Sequence, residues 1–205
     1  MRIGRRSSLF FVLLILVSAK AFAGCLEQAA ERYRVSPLLL EAIAETESSG
    51  NPLAVGALVS PVRARFVYSR LLELSVPFSV SSYRGRYLFS IRPGNRQQAE
   101  RVLKLVSRYA DTYDVGLMQI NKLWIERYNL KSEWLLDECY NANWGAYVLA
   151  RMVARYGYTW EAIWHYNGSP VYAVKVMESL RKLCLNKYSD LPYCREYFVG
   201  TLKKR

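Results

Sequence analysis

The chain has 205 residues, 52% of them hydrophobic, 14% aromatic and 22% charged, with a formal charge of +12 at pH 7. That apolar content excludes an intrinsically disordered chain, and without repeats or low-complexity linkers it points to one domain with its own core. A single histidine, His165, and four cysteines with no CxxC spacing argue against a zinc centre, so neither a metal nor a cofactor is expected.

In chain order, the first segment reads as an address. Arg2, Arg5 and Arg6 form a basic start, Leu9 to Ala19 is almost wholly apolar, and Ala21-Phe22-Ala23 places small residues at alternate positions, the pattern of a signal peptide over residues 1–23. An apolar run of 11 residues falls short of the ~20 that span a bilayer as a helix. Export agrees with the cysteines, since Cys25, Cys139, Cys184 and Cys194 all follow that segment and an even number suits two disulfides in an oxidising compartment. A competing reading takes Phe22-Ala23-Gly24-Cys25 as similar to a lipobox; acylation of Cys25 would then tether the protein to a membrane.

Leu26 to Tyr33 and Pro37 to Ser48 have helical periodicity. In the second, Ser36 is the N-cap, Pro37 takes the first position, and Leu38, Leu39, Ile43 and Ala44 form the apolar face until Ser49-Gly50-Asn51-Pro52 ends it. Residues 61–110 hold ten Lys or Arg against Glu73 and Glu100, a net of +8. Removal of Arg2, Arg5, Arg6 and Lys20 with the signal segment leaves +8 in all, so the rest of residues 24–205 balances to zero. A patch of this kind attracts a polyanion, which outside the cytoplasm means a wall polymer, an anionic lipid or a partner protein; nucleic acid is not expected, because no motif for it is present. Within this basic segment we expect a hairpin between Val76 and Pro93 around Arg84-Gly85-Arg86. A helix capped by Asn95 follows, with Ala99, Val102, Leu103 and Val106 at helical spacing through Tyr109. Asn143 to Tyr156, Thr159 to Tyr166 and Tyr172 to Leu183 are further helices, and the class is mostly α.

The chemistry lies in a set of short motifs. Ala42-Ile43-Ala44-Glu45-Thr46-Glu47-Ser48 closes a helix on an acid and a hydroxyl; Gly116-Leu117-Met118-Gln119-Ile120-Asn121, His165-Tyr166-Asn167-Gly168 and Tyr172 follow in that order. Each alone has a plain structural explanation. Together, over roughly Cys25 to Leu183, they resemble the soluble lytic transglycosylase family, whose fold is lysozyme-like. The resemblance implies that Glu47 is the catalytic acid and base and that Ser48 orients substrate or carboxylate. It also implies that Met118 and Gln119 line a sugar cleft, that Tyr166 and Asn167 form its opposite wall, and that Tyr172 lies near Glu47. The implied reaction cleaves the MurNAc-GlcNAc β-1,4 bond of peptidoglycan and leaves 1,6-anhydro-MurNAc ends. One acid then suffices, provided that an apolar setting such as Leu117, Met118 and Tyr166 keeps Glu47 protonated near neutral pH. Glu45, about 200° around the helix from Glu47, faces elsewhere.

Two departures refine the resemblance. His165 stands where the family has Ala, and 68 residues separate Glu47 from Gly116. The basic insertion at 61–110, followed by Tyr113-Asp114-Val115-Gly116, looks like the specialised members that serve type IV secretion and conjugation machines. The stretch Asp137-Glu138-Cys139-Tyr140-Asn141 resembles the one that bonds the N-terminal cysteine of those members, which implies a Cys25 to Cys139 disulfide; we pair Cys184 with Cys194. The partners implied are peptidoglycan strands and a secretion, conjugation or pilus complex, in a bacterial periplasm or cell envelope. Two other readings stay open. One is a hydrolytic muramidase resembling goose-type lysozyme, with Asp111 or Asp114 positioning a water; the other is a non-catalytic scaffold that docks through the basic segment.

Overall fold

The structure, a computed structural model, describes residues 24–196, so the expected signal segment lies outside the described residues. Helix α1 (Cys25–Tyr33) ends where Arg34 turns left-handed at φ 53°. Helix α2 (Pro37–Ser48) begins as its sequence predicts, with Ser36 Oγ accepting from Leu39 N at 3.3 Å. Leu40 and Ile43 are fully buried, a contribution of about 1.5–3 kcal/mol for each such side chain.

Between α2 and the end of the second motif the chain builds a five-stranded antiparallel sheet in the order β2-β3-β1-β4-β5. Its strands are β1 (Val55–Val59), β2 (Phe78–Tyr83), β3 (Arg86–Ile91), β4 (Thr112–Val115) and β5 (Ile120–Asn121). The β2-β3 hairpin turns at Arg84-Gly85, both with positive φ, 47° and 75°, as a two-residue type I′ turn requires. Strand β1 was not foreseen, although Val55, Ala57 and Val59 alternate inward, because it is short and contains Gly56. Helix α3 (Pro61–Glu73) was also not foreseen; α4 (Arg96–Tyr109) starts on the expected Asn95 cap, whose Oδ1 accepts from Gln98 N at 2.9 Å.

The basic segment is therefore built into the core. Val67 and Leu71 of α3, Phe89 and Ile91 of β3, and Val102 and Val106 of α4 are all buried in one hydrophobic cluster with β1. Its cations occupy the other faces of the same elements.

Helix α5 (Lys122–Arg127) and a 3-10 turn (Ser132–Leu136) lead into α6 (Glu138–Tyr156). Helix α6 starts five residues before the expected Asn143, because Asp137 Oδ1 caps Tyr140 N at 2.8 Å. The chain continues through α7 (Trp160–Asn167), α8 (Pro170–Asn186) and the short α9 (Pro192–Cys194). Helix α1 packs on α6, α2 on α8, and α7 on both α6 and α8. Disulfides join Cys25 to Cys139, at the starts of α1 and α6, and Cys184 to Cys194, at the end of α8. Among the described residues no helix is long and apolar enough to cross a membrane.

Candidate active site

The last turn of α2 meets two other segments. Ser48 is buried, and its hydroxyl donates to the Leu117 carbonyl at 2.8 Å while accepting from Asn51 N at 3.1 Å. Ser48 thus bonds the helix that carries Glu47 directly to the Gly116-Leu117-Met118-Gln119 turn. Tyr166, near the end of α7, donates from its hydroxyl to the Met118 carbonyl at 3.1 Å, which brings the third motif onto the same turn. Tyr172 of α8 stacks against Tyr166 with ring centroids 6.2 Å apart. The conjunction read along the chain is a conjunction in space.

The turn itself is held by Asn141 of α6, which is fully buried. Its Nδ2 donates to the Val115 and Leu135 carbonyls, both at 2.8 Å, and its Oδ1 accepts from Met118 N at 2.7 Å. Gly116 sits at φ 81°, and a Cβ there would collide with Asn141 and with the Leu135 carbonyl, so glycine is required twice over. Gln119 is left-handed at φ 45°, an uncommon conformation for a residue with a side chain. Its Nε2 offsets that strain by donating to the Gly116 carbonyl at 2.8 Å and the Ala54 carbonyl at 3.1 Å.

Glu47 has the electrostatics of a proton donor at neutral pH. Burial among protein atoms lifts its carboxyl from 4.5 to about 7; the Tyr172 hydroxyl opposes this, the charge of Asp114 adds to it, and Asn167 and Lys175 oppose it more weakly. Tyr172 is itself buried, and burial and the Glu47 charge keep its hydroxyl neutral. Asp114 is the second acid here. It stands on β4 opposite Gly56 of β1, and its Oδ1 accepts from Asn121 Nδ2 at 2.8 Å. Burial raises it from 3.8 to about 6, against the pull of Asn121. A Cβ on Gly56 would lie 3.0 Å from Gln119 Oε1 and 3.5 Å from Asp114 Oδ2, so that glycine leaves room for both side chains.

Other candidates fall elsewhere. Met118 lies beneath the site rather than on its surface: it is fully buried, and a Cβ on Gly145 of α6 would collide with its side chain. Asp111, just before β4, is occupied by Arg86, with Nε to Oδ2 at 3.4 Å. His165 stacks on Tyr156 and Trp164, at 4.0 and 3.6 Å between centroids. Glu45 is exposed on the far side of α2. The basic segment reaches the site where Arg92 Nη1 donates to the Ser48 carbonyl at 3.4 Å. Among the described residues no cluster of His, Cys, Asp or Glu could hold a metal ion. An apolar groove of about 740 Å³, lined by Leu38, Leu39, Val153, Trp160 and Leu180, includes none of the motif residues.

Asn141, Gly56 and Asn121 were missed as site residues. In the sequence Asn141 stands out only as part of the cysteine stretch, and no local pattern marks a buried asparagine that bonds Val115 and Met118 of another segment as well as the nearby Leu135. Comparison with known proteins places residues 24–182 in the Transglycosylase SLT domain family. Over 83 aligned residues the chain is 39% identical to the invasion protein IagB of Salmonella typhimurium, and 37% identical to that of Salmonella typhi. The match covers 34% of this chain and 52% of the relative, so the chain spans about half the length of the curated relatives it matches. No solved structure matches it.

Proposed function

Because the chain belongs to the soluble lytic transglycosylase family and has its mostly helical, lysozyme-like fold, we propose that it is a peptidoglycan lytic transglycosylase with Glu47 as acid and base. The observation that carries this reading is a glutamate kept protonated to about pH 7 where all the motifs converge. Glu47 gives its proton to the glycosidic oxygen as the bond from C1 of MurNAc to that oxygen breaks, and the sugar's own N-acetyl oxygen stabilises the cationic carbon. The resulting carboxylate then takes the proton of the C6 hydroxyl, and O6 closes on C1 as the 1,6-anhydro ring, with no water consumed. Asn167 and Tyr172 border the acid and, with Gln119 of the neighbouring turn, orient the sugar; Ser48 and Tyr166 act on that turn. The cycle restores the Glu47 proton, so a value near 7 serves both steps.

Export to a bacterial periplasm or cell envelope, and local opening of the wall for a secretion, conjugation or pilus apparatus, complete this reading. The relatives' name, invasion protein, is in keeping with it, as is the resemblance to the specialised members. A second reading, hydrolysis, has one observation in its favour: the Asp114 carboxyl, close enough to act on Glu47, is a second acid of the kind that activates a water in a muramidase. Mass spectrometry of muropeptides released from purified peptidoglycan separates the two. Anhydro ends, lighter than hydrolytic ones by one water, are expected; reducing ends abolished by Asp114→Asn would establish hydrolysis instead.

A further inference from the structure

We propose that the outer edge of β2 is a docking strand on which an extended, acidic polypeptide segment of a partner protein pairs as a sixth strand. The proposal is independent of the reaction assigned to Glu47. Strand β2 ends the sheet: it pairs with β3 on one side, and among the described residues no strand pairs with the other. All its residues after Phe78 are exposed. Natural sheets protect such an edge with charges, proline, a bulge or a covering element. Phe78-Ser79-Val80-Ser81-Ser82-Tyr83 has no charge and no proline, and its register with β3 runs unbroken from Phe78↔Ile91 to Tyr83↔Arg86.

The hydrogen-bond phase identifies the groups on offer. Arg92 N donates to the Pro77 carbonyl at 2.8 Å, so the odd-numbered residues of this strand point their amides and carbonyls at β3. Phe78, Val80 and Ser82 therefore turn theirs outward, three donors and three acceptors over one six-residue strand. A ladder of this kind is what β-augmentation uses.

Charge selects the occupant. The segment that contains β2 carries a net +8, and of its ten cations only Arg70, Arg86 and Arg96 have a carboxylate at ion-pair distance among the described residues. Arg84, at the end of β2, lies over the Tyr83 ring with its guanidinium 5.4 Å from the centroid. A second copy of this chain would bring two such surfaces together and is disfavoured by repulsion. A glycan strand has no alternating amide ladder to complete the edge. An extended polypeptide with acidic residues satisfies both the ladder and the charge.

The test uses the full mature chain and a capped octapeptide of alternating Glu and Val, read by amide hydrogen exchange and peak shifts in NMR. Exchange at Phe78, Val80 and Ser82 should slow on binding. Val80→Pro removes an N–H that faces outward, where an edge strand tolerates proline, and should weaken binding about tenfold as a ladder bond is lost. The same peptide N-methylated at alternate residues keeps its charge but loses its donors, and should bind as weakly to the wild type; this arm stands even if the proline variant misfolds. Equal affinity for the N-methylated peptide would reduce the site to nonspecific charge attraction and overturn the proposal. So would equal protection of these amides by soluble muropeptides, or concentration-dependent protection with no peptide present, which would mean self-pairing.

Discussion

Two regions of this molecule use charge in opposite ways. Around Glu47 there are few ionisable groups, but two carboxyls are sunk among apolar and aromatic side chains, and burial raises both, to about 7 and about 6. Residues 61–110 carry ten cations exposed to solvent, and ion pairs such as Arg96 with Glu100 at 3.0 Å have both side chains about half exposed. Exposed pairs of that sort are worth about 0–1 kcal/mol each. The first region changes the proton affinity of two buried carboxyls; the second sets what the surface attracts. The difference is desolvation, and each test below is aimed at one side of it.

The largest effect is expected at Glu47. Glu47→Gln keeps the shape but cannot carry the proton, so release of muropeptides from purified peptidoglycan should fall by at least ~10². Glu45→Gln, two residues away and exposed, should keep most of the activity. Full activity in Glu47→Gln would break the assignment.

Asn141→Leu should come next, in stability. It leaves Met118 N and the Val115 and Leu135 carbonyls buried without their partner, and urea unfolding should show a loss of about 2–4 kcal/mol. Activity should fall with it, because the turn that carries Gln119 loses its anchor.

The third test is linkage. In the folded protein Glu47 holds its proton up to about pH 7, whereas the unfolded chain releases it near the ordinary 4.5. The unfolded state thus binds fewer protons across that window, and stability falls as pH rises through it. Glu47→Gln escapes this loss, so it should equal the wild type at pH 4 and exceed it at pH 8 by about 1–3 kcal/mol, allowing for the solvent that reaches the side chain. Equal stability at both values would show that the carboxyl is not desolvated.

The smallest change should follow neutralisation of Arg84, Arg101 and Arg108, all exposed. Stability should move by less than about 0.5 kcal/mol. Binding to sacculi should weaken, most at low salt where screening is slight, while turnover of a small soluble muropeptide stays unchanged. Equal losses on both substrates would bring the basic region into the site chemistry, and Arg92 on the Ser48 carbonyl is the contact through which that could occur.

The two regions also differ in how far they could be read from the sequence. Helix α2 was legible residue by residue, because Ser36, Pro37 and the apolar face are local signals that its neighbours reinforce. The β2-β3 hairpin was legible through Arg84-Gly85, a turn that few residues besides glycine accept at its second position. Strand β1 and helix α3 were not. β1 owes its existence to pairing with β3 and β4, whose paired residues lie 28 or more positions further along the chain.

From residue order alone came the mostly helical class, the family resemblance and Glu47 as the candidate acid, because helix periodicity, caps and turn residues act over a few positions. Tertiary structure decided the rest. Glu47 owes its raised proton affinity to desolvation by segments far along the chain, and Asp114 became its neighbour only when β4 paired with β1 beside Gly56. Asn141 became the anchor of the turn only when α6 packed under it, and packing, too, took Met118 from the surface into the core. Each of these depends on which distant surfaces exclude water from one another, a property of the closed fold that no local stretch of sequence contains.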